Sequence, residues 1–134
     1  MSVTKNIETM LKEDGFCITG FSGRSMLPML REGKDRVLLV PPRFPLPGGT
    51  VALFRRGNDY ILHRVIDRRE SVYIFRGDHC IRTERVEEQD IIGIMTGFFR
   101  GADYHEADDV YSRSFASYAL QSWWRRRLRA AIKD

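Results

Sequence analysis

Long apolar runs are missing from this sequence. Its 134 residues contain no uncharged apolar stretch of about eighteen or more, so nothing in it reads as a membrane-spanning helix. The first residues, Met1-Ser2-Val3-Thr4-Lys5-Asn6-Ile7-Glu8, lack the apolar block of a secretory signal, and a cytoplasmic location is the expectation. Cysteine is scarce too. Cys17 and Cys80 are the only two, too few for a disulfide framework, and both are read as reduced, small apolar fillers. Histidines number three, and His79-Cys80 and His105-Glu106, with Asp108 beyond, fit no standard zinc spacing. No metal is therefore expected, and no internal repeat or low-complexity tract is visible.

A one-signed charge is also lacking over most of the chain. Lys and Arg outnumber Asp and Glu by 22 to 18, but the excess is local. Arg125, Arg126, Arg127, Arg129 and Lys133, against Asp134, account for all of it, which leaves a neutral body with a basic tail. A nucleic-acid partner is not expected from that distribution. What remains, 43% apolar and 30% charged residues, is the composition of a soluble globular protein with one modest core.

The spacing of Val3, Ile7, Met10 and Leu11 predicts an amphipathic helix over 3–14, stopped at Gly15. Short β-rich runs divided by Gly and Pro then follow to about residue 100, at 16–21, 36–40, 50–55, 60–66, 72–75 and 91–99. Pro41-Pro42 and the 45–49 segment cannot continue a ladder, and 22–31 reads as a turn with one helical turn after Pro28. Residues 101–110, with Gly101, Asp103, Glu106, Asp108 and Asp109, read as an acidic surface linker, followed by a helix over 111–133. The expected fold is mainly β, flanked by a short N-terminal helix and a C-terminal amphipathic helix. Its division is a β domain over 1–110 and a basic helix over 111–134.

Three segments carry chemistry. In Gly23-Arg24-Ser25-Met26-Leu27-Pro28 a serine follows a glycine turn, where its hydroxyl can be exposed and the adjacent N–H groups of Ser25 and Met26 can face a developing oxyanion. In Tyr60-Ile61-Leu62-His63-Arg64-Val65-Ile66 an imidazole sits within an apolar strand; a serine needs such a base, although a half-buried histidine bonded to backbone is the ordinary alternative. Arg64, on the opposite face of that strand, reads as a surface ion-pair residue. In Phe75-Arg76-Gly77-Asp78 a strand runs into a turn whose aspartate could orient an imidazole, or simply belong to a Gly-Asp turn.

The order of these segments, Ser25 with its Met-x-Pro neighbour, His63-Arg64-Val65, Gly77-Asp78 and Ile92-Gly93-Ile94, resembles the type I signal peptidases, in the branch that uses a Ser–His pair. The wider superfamily includes the self-cleaving SOS and phage repressors, and the resemblance spans about residues 16–100. It implies bent antiparallel sheets of the signal-peptidase and repressor-peptidase type, with substrate bound as an extended strand beside the serine. It further implies Ser25 as nucleophile, His63 as base, Asp78 as orienter, the Ser25 N–H in the oxyanion hole, and no cofactor. Where the family has Gly-Asp-Asn this chain has Gly77-Asp78-His79, so Glu84 stands as the reserve third member.

At the C-terminus Leu120, Trp124, Leu128 and Ile132 recur every four residues, with Trp123 and arginines 125–127 beside them. That pattern fits a helix packed on its own domain, or an interfacial helix placing Trp123, Trp124, Arg125, Arg126 and Arg127 against an anionic membrane face or a partner. The functional expectation is a serine endopeptidase acting on an extended peptide, such as the leader of a small precursor. A catalytically impaired relative that binds peptides is the first alternative. A repressor-type regulator is disfavoured, because only 24 residues precede Ser25 and no lysine sits near position 63.

Overall fold

A computed structural model describes residues 6–107. It opens with α1 (Ile7–Asp14); Asn6, inside the expected 3–14 span, caps the helix instead of continuing it, and the 3–5 part of that span lies outside the described residues. Asn6 Oδ1 accepts from the N–H of Glu8 at 2.9 Å and of Thr9 at 3.4 Å, and Gly15, at φ 79°, donates its N–H to Leu11 O. Ile7 and Leu11 face the core, while Glu8 reaches outward to Arg55 and to the Tyr60 hydroxyl, each at 2.5 Å.

The strands are β1 (Cys17–Thr19), β2 (Asp35–Val40), β3 (Val51–Arg56), β4 (Asp59–Arg69), β5 (Val72–Arg76), β6 (Glu84–Glu87), β7 (Ile91–Arg100) and β8 (Asp103–Glu106). They form a single antiparallel sheet, curled as a half-barrel, in the order β1-β2-β7-β3-β4-β5-β6, with β8 also paired to β7. A two-residue hairpin turn, with Gly57 at φ 61°, sets the β3–β4 register so that Arg56 faces Asp59 and Ala52 faces His63.

Burial follows from that curl. β3 buries both faces: Val51 and Leu53 join α1, Met26, Met29, Leu30, Leu62 and Phe98 on one side. Ala52 and Phe54 join Val65, Tyr73, Phe75 and Ile91 on the other. A strand covered on both sides reads as a continuous apolar run, as Val51-Ala52-Leu53-Phe54 does. A buried Arg–carboxylate pair ties β2 to β7. Asp35, fully buried at its side chain, accepts from Arg100 at 2.9 Å and from the Arg31 N–H at 2.7 Å.

Three departures from the sequence reading have physical causes. β1 is shorter than the 16–21 run, because the chain leaves the ladder after Thr19, and Phe21 and Ser22 become a wall of the site described below. β6 lies in a charged stretch, Glu84-Arg85-Val86-Glu87, in which only Val86 is buried. β8 lies within the supposed acidic linker. It pairs with β7 on the edge that β3 vacates, and Tyr104 packs on Phe99 (4.9 Å between centroids) and His105 stacks on Phe98 (5.0 Å). The 108–110 part of that linker and the whole expected helix over 111–133 lie outside the described residues. Among the described residues no helix is long and apolar enough to cross a membrane.

Candidate active site

Ser25 opens a tight turn rather than a strand end. The Leu27 N–H donates to Arg24 O at 3.2 Å and the Leu30 N–H to Met26 O at 3.0 Å; the Leu27–Pro28 peptide is cis. Buried Met26, Met29 and Leu30 pin the turn to the core, leaving Ser25 partly exposed. The N–H groups of Ser25 and Met26 donate to no acceptor among the described residues. Two unused donors beside a serine hydroxyl are available to a carbonyl oxygen that gains charge.

A second turn, residues 77–80, locks onto the first. The His79 N–H donates to Ser25 O at 2.8 Å, and the Cys80 N–H donates to Gly77 O at 2.9 Å. Gly77 is required by proximity: a Cβ there would lie 2.6 Å from Ser25 O, 2.8 Å from Cys80 Sγ and 2.9 Å from Ser25 Cβ. Beneath both turns Arg64 and Asp78 form a bidentate pair at 2.8 and 2.7 Å, with both side chains buried. Arg64 also donates to Gly49 O at 2.8 Å and touches Met29 Sδ at 3.5 Å. Arg64 is thus not the surface ion-pair residue that strand alternation suggested. It does face away from His63, but the curl of the sheet buries that face as well.

His63 sits on β4, its ring edge toward Phe54 at 6.0 Å between centroids. Its residue exposure is 8%, and Nδ1 is buried without a hydrogen-bond partner. Glu84 Oε1 lies 3.6 Å from Nδ1, beyond hydrogen-bond range, while the same oxygen accepts from Arg56 Nη1 at 2.6 Å. Burial, first of all, pushes the imidazole down to about 4; Arg56 and Arg76 press in the same direction and Glu84 opposes them. His63 is accordingly neutral at pH 7, the form a general base requires.

Ser25, Met26, His63 and Glu84 line one open cavity of about 580 Å³. Asp78 does not line it: both of its oxygens are taken by Arg64, so of the two acidic candidates only Glu84 approaches His63. Cys80, read from sequence as an apolar filler, also lines the cavity, as do Arg56, Tyr60 and Arg82, which the sequence reading did not single out. Arg56 was reachable by alternation, since Ala52, Phe54 and Arg56 share a face of β3 with His63 opposite Ala52. Cys17 and Cys80 are both free thiols, and burial raises each above its ordinary value. Among the described residues no group of three His, Cys, Asp or Glu side chains could hold a metal. Trp123, Trp124 and arginines 125–127 lie outside the described residues. No family model and no curated protein matches the chain.

Proposed function

We propose that this protein is a signal-peptidase-like serine endopeptidase, cleaving an extended peptide with a Ser25–His63 dyad. The observation that carries the reading is the shared cavity: a serine with two unused N–H donors and a neutral, buried imidazole line the same opening. With Nδ1 directed to Glu84, Nε2 is the nitrogen left for the serine proton. Ser25 Oγ attacks the scissile carbonyl as His63 Nε2 takes its proton, and the Ser25 and Met26 N–H groups receive the oxyanion. The proton then passes to the leaving amine, and His63 activates the water that hydrolyses the acyl-enzyme. The leader of a small precursor peptide is the proposed substrate, and the reaction draws on no cofactor.

Two observations favour the second reading, a peptide-binding relative with impaired catalysis. Ser25 Oγ makes no hydrogen bond among the described residues, and the 3.6 Å from Glu84 to His63 leaves the imidazole unanchored. Treatment with diisopropyl fluorophosphate separates the two. An activated Ser25 gives a single phosphoryl adduct by intact-mass measurement, lost in Ser25→Ala and strongly slowed in His63→Ala. An adduct that forms equally in His63→Ala, or not at all, would sink the dyad.

A further inference from the structure

One carboxylate in the cavity has two claimants. Glu84 Oε1 is 2.6 Å from Arg56 Nη1, a charge-assisted hydrogen bond, and 3.6 Å from His63 Nδ1, too far for one. Arg56 thereby holds Glu84 away from a buried nitrogen that lacks an acceptor. A second guanidinium, that of Arg82, lines the same cavity, exposed and with no partner among the described residues. The charged lining is therefore two guanidiniums against one carboxylate, and that carboxylate is already shared. The imbalance favours an incoming anion.

We propose that the cavity selects peptides carrying an Asp or Glu side chain beside the scissile bond, and that this side chain takes Arg56 and Arg82 and releases Glu84 to His63. The proposal rests on the peptidase reading above. An acidic side chain leaves Arg56 paired, while Glu84 moves onto Nδ1–H and supplies its missing acceptor. The exchange adds one charge-assisted hydrogen bond without stranding a charge. An amide of the same shape cannot replace Glu84 on Arg56, so it leaves the imidazole unanchored. Glu84 is a positioning residue in this scheme, acting through His63. Arg56 and Arg82 set specificity. Selection therefore operates in two places, on binding through the two arginines and on turnover through Glu84.

The test uses acetylated, amidated decapeptides from a randomised library, in matched Asp/Asn and Glu/Gln pairs at each position flanking the cleaved bond. Wild-type protein is expected to turn over the acidic member on the order of tenfold faster in kcat, because Glu84 then orients the base. Its KM should be about two- to fivefold lower, as for a partly exposed ion pair. Arg56→Gln, at a side chain 55% exposed, should raise kcat on the amide peptides and erase the kcat preference. Glu84→Gln should drop kcat on acidic peptides to the amide level while leaving their KM advantage. Equal kcat/KM for acid and amide partners in the wild type would overturn the proposal, as would an Arg56→Gln protein slower on amide peptides.

Binding separates this inference from the peptidase reading. Fluorescein-labelled versions of the same pairs are titrated into Ser25→Ala, with the His63 ring followed by NMR. Tighter binding of the acidic member with an upward shift in the His63 titration, but no cleavage by wild type, keeps the charge selection and removes the peptidase. Cleavage with indifferent binding and an unmoved His63 removes the charge selection alone.

Discussion

Replacing Asp78 with Ala separates a structural carboxylate from a catalytic one. Asp78 takes both of its contacts from Arg64, at 2.8 and 2.7 Å, with side-chain exposures of 3% for the arginine and 1% for the aspartate. Removing the carboxylate leaves a guanidinium inside the protein with Gly49 O as its remaining oxygen partner. Breaking one half of such a buried pair costs about 3–5 kcal/mol, a large part of the roughly 5–15 kcal/mol that holds a domain folded. For a domain of this size that is a fall of roughly 10–20 °C in Tm. Removing both charges together, as Arg64→Met with Asp78→Leu, should recover much of the loss, because no unpaired charge stays buried. Urea titrations of the wild type, both single variants and the double variant form the cycle, with kcat taken per folded molecule. An Asp78→Ala protein whose urea midpoint is unchanged but whose kcat falls by about four orders of magnitude would refute the reasoning and return Asp78 to the role of His63 orienter.

Gly77→Ala should act on Ser25 rather than on the core. Its new Cβ would meet Ser25 O at 2.6 Å, so the serine must shift by several tenths of an ångström or more, and kcat/KM should fall about 100-fold. Measured labelling of Ser25 by diisopropyl fluorophosphate should slow in parallel. Acidification should destabilise the fold through His63. The folded imidazole titrates near 4 and the unfolded one near 6.5, so between those values the unfolded chain binds more protons. Stability from this group is complete above about pH 6.5 and falls by about 3 kcal/mol as the pH drops through 4. Urea midpoints at pH 4 and 7 should show that difference in the wild type and lose it in His63→Gln. The acid limb of kcat/KM should likewise fall near pH 4, leaving the rate flat through neutrality. Gly97→Ala, where a Cβ would run into Tyr104 Oη, should cost about 1–3 kcal/mol and raise hydrogen exchange in β8.

Much of the fold was legible because local rules and tertiary packing agree. α1 carries its stop in Gly15, and β2, β3, β4, β5 and β7 each coincide with a β-branched or aromatic run to within three residues at either end. β6 and β8 were not legible for a common reason. Both begin and end on carboxylates and lack a β-branched run, and they are strands because a neighbouring edge offers them hydrogen-bond partners, which no local window contains. The site divides the same way. Ser25 and His63 announce themselves as residue types, but the partner of a charge depends on the register of distant strands. Asp78 follows a glycine in a turn whose aspartate could orient an imidazole, yet Arg64, one residue along β4, takes it on the other face. Arg56 and Glu84 meet only because β3 and β6 end beside the same cavity.

Whether Ser25 cleaves peptides is read out by mass spectrometry of a diverse peptide library incubated with the wild type and with Ser25→Ala. A Ser25 peptidase gives cleavage at recurrent sites by the wild type, enriched for Asp or Glu beside the broken bond and absent in Ser25→Ala. Identical peptide profiles from the two proteins would contradict it.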